Sequence, residues 1–342
     1  MTAFRSINLI SILLCFCVVV FGAYVRLADA GLGCPDWPGC YGHIGVPDAD
    51  HEVAAAEQKF PERPVEAHKA WKEMGHRYAA STLGLLIVVM AFISAFSKNP
   101  AMPRVLPWVL VGLVIFQGIL GMWTVTLQLK PLVVTGHLFG GLATLSLLVL
   151  MWLSTRAGLH PDAPRSAMSV ALASERPRGV ATLAVAGMVL LVCQIFLGGW
   201  TSTNYAALAC PDLPTCHGQW LPDTDVKEAF TLWRGLGVNY EFGVLDNRAR
   251  VTIHLFHRIG AIVVSGVLLL LGLLLLLRSE NRFWQVYGGV LIGALSVQVL
   301  IGVSTVLLQL PLLLAAAHNA GAAILLLTLV SLNYFIWSKR AV

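Results

Sequence analysis

Charge is scarce in this chain. Asp, Glu, Lys and Arg make up 12% of its 342 residues, against about 25% in an ordinary soluble domain. That shortage argues against a large water-facing surface. Strand-like alternation of apolar and polar residues is also missing, which argues against a transmembrane barrel. No basic stripe with interleaved aromatics is present, so the pI near 8.9 does not mark a nucleic-acid surface. The short C-x₂₋₄-C spacing of zinc modules is absent from the cysteine clusters as well.

What fills the chain is apolar sequence. Hydrophobic residues make up 57%, and the mean hydropathy is +0.75. A helix needs about 20 apolar residues to cross a bilayer, and eight stretches qualify, near 7–27, 75–97, 105–127, 132–155, 179–201, 252–278, 284–308 and 312–337. With the N-terminus inside, the inner segments hold Arg5, Lys98, Arg104, Arg156, Arg165, Arg176, Arg178, Arg278, Arg282, Lys339 and Arg340, but only three acids, Asp162, Glu175 and Glu280. This is the positive-inside pattern, and it predicts cytoplasmic termini. Ala28-Asp29-Ala30 resembles a signal-peptidase site, but the apolar run before it is longer than a usual signal core.

An internal repeat organises the sequence. QGILGMWTVTLQLKPLVVTGHLFGG from Gln117 matches QVLIGVSTVLLQLPLLLAAAHNAGA from Gln298 without a gap, at an offset of 181 residues. The same offset pairs His76 with His257. CPDWPGCYG from Cys34 matches CPDLPTCHG from Cys210 at an offset of 176, and Gly22 matches Gly198. The difference falls in loops, where insertions are tolerated. The expected fold is therefore all-α and integral to the membrane: eight transmembrane helices as two pseudo-symmetric four-helix bundles. The halves are 1–155 and 179–342, joined by a cytoplasmic linker at 156–178. An even number of helices per half makes the repeats parallel.

His76, His137, His257 and His318 fall near the outer starts of the four even-numbered spans. An ionisable residue within a membrane is a functional candidate. Two histidines on facing helices can supply the axial ligands of a heme iron, and the small residues Gly141, Gly321 and Ala322 give a flat ring room. Taken singly, each histidine reads equally well as a hydrogen-bonded interfacial residue; four at matched depth favour heme. Arg77 and Arg258 each follow a histidine and suit heme propionates, or snorkel to headgroups. Glu73 shares a helix face with His76, whereas the corresponding residue of the second half is His254, expected at headgroup level or as a substitute ligand. Glu73 reads either as a proton-handling carboxylate or as a first-turn acid. Asp50 to Lys72 reads as a short amphipathic helix, a lid over the first pocket.

Cys34/Cys40 and Cys210/Cys216 lie in matching outer loops. A disulfide within each is geometrically reasonable, as a structural staple or as an exposed, reducible redox pair. A zinc site with His43 or His217 is a third reading, disfavoured by the spacing. Cys15, Cys17 and Cys193 read as packing residues.

Together, GLGCPDWPGCYG from Gly31, EMGHR from Glu73, Gly136-His137, the His257-Arg258 pair and the AAAHNAG run around His318 resemble the heme A synthase family across essentially the whole chain. The resemblance implies an enzyme that converts heme O to heme A by two successive oxidations of the C8 methyl, through an alcohol, to a formyl group. It implies substrate heme between His76 and His137, a heme B cofactor between His257 and His318, Glu73 as the catalytic carboxylate, and a role for Cys34 and Cys40 at the first site. It further implies a bacterial inner-membrane location with periplasmic cysteine loops, and the farnesyl tail of the substrate in lipid or between helices. A heme O synthase (protoheme farnesyltransferase) would act upstream and a heme A–containing terminal oxidase downstream. A homo-oligomer is left open. Two rival readings use the same histidines: a di-heme, quinone-linked electron carrier, and a heme transporter or chaperone.

Overall fold

The computed structural model describes residues 1–156 and 179–337. Apart from Arg156, the predicted linker lies outside the described residues. Among the described residues, eight helices are long and apolar enough to cross a membrane: α1 (Thr2–Leu27), α3 (Ala67–Phe96), α4 (Leu106–Thr126), α5 (Pro131–Arg156), α6 (Val180–Thr203), α8 (Asn247–Arg278), α9 (Arg282–Leu307) and α10 (Leu312–Trp337). Two short helices, α2 (Asp50–Lys59) and α7 (Val226–Ala229), lie in the loops that carry the cysteines. The protein is a multi-pass membrane protein.

Each half forms a closed ring of helices. α1 packs on α3 and α5, and α4 joins α3 to α5; α6, α8, α9 and α10 repeat the pattern. The halves meet where α1 and α5 pack on α10 and where α5 packs on α6. One apolar core runs through both, from Leu145, Leu148 and Met151 to Leu268, Leu271 and Leu329. Outward-facing Leu85, Phe96, Ile262 and Leu313 are exposed; lipid is the medium in which such a surface is stable.

The backbone repeats in its irregular positions as well. Among the described residues, all the non-glycine residues with positive φ except Phe242 occur in pairs: Asp29 with Tyr205, Tyr41 with His217, Gln128 with Gln309, and Leu129 with Leu310. Each left-handed residue costs roughly 1–2 kcal/mol. Its recurrence at the offsets read from the sequence marks the two halves as copies of one chain path.

Two spans begin earlier than hydropathy suggests. α3 starts at Ala67 and α8 at Asn247, where Asp246 caps the helix by accepting the Ala249 N–H at 2.8 Å. Charged residues there extend the helix beyond its apolar segment, so His76 and His257 lie in the third turn rather than at the start. The expected helix over Asp50 to Lys72 is broken: α2 ends at Lys59, and Pro61 and Pro64 prevent its continuation.

On the cysteine-loop side, the second half reaches over the first. Tyr240 donates its N–H to the Gln128 carbonyl at 3.0 Å. Lys130 donates to the Gly235 carbonyl and lies 3.1 Å from the centre of the Trp233 ring. Arg63 forks onto Glu241 with contacts of 3.1 and 2.6 Å.

Candidate functional site

The four histidines form two pairs, one in each ring of helices. His76 of α3 faces His137 of α5 with ring centres 6.4 Å apart; His257 of α8 faces His318 of α10 at 6.5 Å. Two imidazoles on opposite sides of one metal, each nitrogen about 2.0–2.1 Å from it and about 1.1 Å from its own ring centre, have centres roughly 6.3 Å apart. Both pairs therefore fit the axial spacing of a heme iron. The Nδ1 atoms of His76, His137 and His318 are buried without a partner.

Glycines from the neighbouring helices make this spacing attainable. A Cβ added at Gly22 would lie 2.8 Å from the His76 ring, at Gly121 3.5 Å from His137, at Gly198 3.2 Å from His257, and at Gly302 2.8 Å from His318. Each ring rests edge-on in a notch that a side chain would narrow or fill. The notches were not recognised in the sequence reading, although Gly22 and Gly198 were already aligned by the repeat.

The first pair opens onto a cavity of about 500 Å³. His76, His137, Glu73 and Arg77 line it, as does Trp37 from the cysteine loop. Part of its wall comes from the other half: Gly199, Ser202 and Thr203 of α6, and Asn319 of α10, the neighbour of His318. α2 does not line this cavity, so it is not the expected lid. It packs through Ala56 into a cluster with Cys34, Cys40, Tyr41 and Met74.

Glu73 is buried, in the second turn of α3. The reading of it as a first-turn acid therefore fails. One carboxylate oxygen accepts the Cys34 N–H at 2.9 Å, and the other accepts from Arg77 at 2.5 Å. His254 occupies the equivalent place in the second half. It is buried, and its Nδ1 accepts the Cys210 N–H at 3.3 Å. It is therefore neither at headgroup level nor paired with His318. Both residues tether a cysteine loop to a ligand helix, and only one of them is an acid.

Arg77 and Arg258 clamp the same loops. Arg77 donates to the Asp36 carbonyl at 3.1 Å, to the Pro38 carbonyl at 3.2 Å and to the Gly39 carbonyl. Arg258 donates to the carbonyls of Cys210 at 2.7 Å and Thr215 at 2.9 Å. Both lie well inside their helices. Lys130 is buried beneath the second half's loop.

Cys34–Cys40 and Cys210–Cys216 are disulfides. All four cysteines are buried, which corrects the expectation of exposed loops. Among the described residues no cluster of three or more His, Cys, Asp or Glu side chains could share a metal ion, which removes the zinc reading. Asp212 organises the second loop by accepting from Thr215 Oγ1 at 2.5 Å and from the N–H groups of His217 and Gly218. These bonds, the Thr215 hydroxyl foremost, hold its carboxyl below the usual range.

Arg26 is a cation that the sequence reading passed over. It lines the first cavity, donates to the Ser202 carbonyl at 2.9 Å and lies 4.2 Å from the centre of the Tyr205 ring. Its position in the last turn of α1 was visible; that it bridges the halves was not.

Comparison with known proteins agrees with this arrangement. A protein of Shewanella oneidensis named Heme A synthase is 48% identical over 324 residues, covering 95% of this chain and 94% of its own length. Proteins of the same name from Rhizobium etli and Halalkalibacterium halodurans are 28% and 24% identical, covering 90% and 95% of this chain and 83% and 94% of their own lengths. The profile of the COX15-CtaA family, described as cytochrome oxidase assembly protein, matches residues 5–330. With two matched imidazole pairs, paired disulfide loops and a match over nearly its whole length, this chain belongs to the COX15-CtaA family of cytochrome oxidase assembly proteins.

Proposed function

We propose that this chain is a heme A synthase, an enzyme that oxidises the C8 methyl of heme O through an alcohol to the formyl group of heme A. The observation that carries this reading is the pairing of two imidazole couples at axial-ligand spacing with a carboxylate beside only one of them. An electron carrier needs both pairs but has no use for the acid, and a transporter or chaperone needs no redox partner. The 48% identical relative bears the same name.

In this proposal the half 1–155 is catalytic and holds heme O between His76 and His137, in the cavity lined by both halves. His257 and His318 of the second half hold heme B, which supplies a one-electron redox centre when bound. Glu73, held by the Cys34 N–H and Arg77, would accept a proton released as the methyl is oxidised, the electrons leaving to an acceptor for which bound heme B would be the conduit. Arg77 from the first cavity wall and Arg258, whose Nε is buried without a partner, serve the propionates, with Arg26 added to the first site. The Cys34–Cys40 disulfide is a redox-sensitive element: its opening would loosen the loop whose backbone holds Glu73. The Cys210–Cys216 disulfide has the matching role beside His254.

The inner-segment basic residues support a bacterial inner-membrane orientation with cytoplasmic termini and periplasmic cysteine loops. The chemistry places a heme O synthase before this protein and the assembly of a heme A–containing terminal oxidase after it.

The test is co-expression with a heme O synthase in cells that lack heme A, followed by mass analysis of extracted hemes. Heme A should appear with the intact chain and fall at least about a hundredfold with Glu73→Gln, in line with the loss of a positioned acid–base group. Heme A output that survives both Glu73→Gln and His76→Ala would overturn the reading.

A further inference from the structure

Three of the four paired histidines share a feature that the fourth lacks. Three residues after His137, His257 and His318 come Gly140, Gly260 and Gly321. Residue i+3 of a helix lies over the carbonyl of residue i, so a glycine there uncovers that carbonyl. In each case a glutamine from the adjacent helix occupies the gap. A Cβ at Gly140 would lie 1.5 Å from Gln117 of α4, at Gly260 2.2 Å from Gln194 of α6, and at Gly321 2.1 Å from Gln298 of α9.

Two of the glutamines reach the histidines themselves. Gln194 donates its amide to the His257 carbonyl at 3.0 Å and lies 3.0 Å from His257 Nδ1. Gln298 donates to the His318 carbonyl at 3.0 Å and lies 3.5 Å from His318 Nε2. Gln117 fills the Gly140 gap and lines the first cavity, with its Nε2 buried and unpartnered. The fourth histidine departs from the pattern. The repeat puts Ala79 where the glycine would be and Val18 where Gln194 stands in the other half. Val18 lines the first cavity and, being apolar, offers the His76 ring no hydrogen bond.

We propose that Gln194 is a positioning residue that fixes the His257 imidazole, that Gln117 and Gln298 fill the matching gaps beside His137 and His318, and that His76, which has no such glutamine, is the ligand free to release iron. This rests on the assignment of the histidine pairs to hemes. A partner on the outer nitrogen of a ligating histidine fixes its ring and raises its basicity. With iron on Nε2, Nδ1 carries hydrogen, and the Gln194 amide turns its oxygen, now buried without a partner, toward it, giving up its bond to the His257 carbonyl. The second site then has its His257 ring held and retains its heme. The first has no such hold on His76, so a substrate heme can enter and a product heme can leave past it.

The proposal is testable on purified full-length protein loaded with hemin, with apomyoglobin as the acceptor of released heme. The intact protein should lose one heme rapidly and the other at least tenfold more slowly. Gln194→Val should speed the slow phase about tenfold and raise the reduction potential of that heme, a shift that simple loosening of the helices does not require. Val18→Gln with Ala79→Gly should slow the rapid phase. Soret bands that persist in Gln194→Val with unchanged transfer rate and potential would refute the glutamine role, as would equal loss rates for both hemes in the intact protein. Failure of the intact chain to bind hemin at all would instead refute the assignment of the histidine pairs. If Gln194→Val does not fold, the Val18/Ala79 variant decides alone, by whether the rapid phase slows.

Discussion

The two halves place different residues in the same spot. Glu73 and His254 each accept the N–H of the first cysteine of a buried disulfide loop, at 2.9 and 3.3 Å. Each is followed four residues later by an arginine that clamps the loop carbonyls. The architecture therefore needs an acceptor at this position, and a neutral imidazole meets that need. A carboxylate does the same mechanical work and adds an acid–base group beside the cavity. Duplication supplied two equivalent frames, and one substitution within them separates a reactive pocket from a retaining one.

Removing one imidazole from each pair should break the comparison most severely. His76→Ala and His257→Ala should each abolish bis-histidine ligation in one half only, seen as loss of one low-spin heme signal in EPR spectra, with heme A output falling to background in both. If either variant lost both signals, the halves would not be separate sites.

Next in size is the exchange of the acceptors. Glu73→Gln should cost at least about a hundredfold in heme A formation with the heme spectrum unchanged. His254→Ala should leave a measurable rate but destabilise its loop by about 1–3 kcal/mol, the cost of a buried donor left unpaired, read as a lower Tm in detergent. Equal catalytic losses in the two variants would remove the asymmetry.

The glycine notches offer a graded test. Alanine at Gly22 or Gly302, where the added carbon meets the ring at 2.8 Å, should disturb heme binding more than at Gly198 (3.2 Å), and least at Gly121 (3.5 Å). Hemin titration of the four variants gives the order. A reversed order would mean that the helices, not the rings, absorb the added volume.

Smaller still, opening either disulfide by Cys→Ser pairs should lower stability by about 2 kcal/mol, the chain-entropy value for so short a loop. Only the Cys34/Cys40 variant should also slow catalysis. The smallest effect is at Asp212, where Asp212→Asn should lower the Tm slightly. The carboxyl is held below its ordinary range when folded, so its contribution is present at neutral pH and is lost only as the pH falls through that lowered value. A deficit that disappeared in mildly acidic buffer would contradict this sign.

Much of the site was legible because the repeat carried it. The His76–His257 and His137–His318 correspondences, the paired cysteine loops and the exception at Glu73 were all read from two offsets. The places where the reading failed depend on three-dimensional neighbours. His254 looked like a headgroup residue because hydropathy places it at the end of an apolar run. It is buried because α8 extends past that run and the Cys210 loop folds onto it. That Arg77 and Arg258 also clamp loop carbonyls was hidden because those carbonyls lie about forty residues away. The helix over Asp50 to Lys72 was drawn through Pro61 and Pro64, which end it.

Apolar length and spacing alone determined that this chain crosses a membrane eight times as two copies of one bundle, since each crossing is a local requirement of some twenty residues and the repeat is written in the sequence itself. Which imidazole rests on which glycine, which glutamine fills which gap, and that the second half completes the first half's cavity were decided only by tertiary packing. Those contacts join residues tens to nearly two hundred positions apart, and no local pattern of hydropathy specifies them.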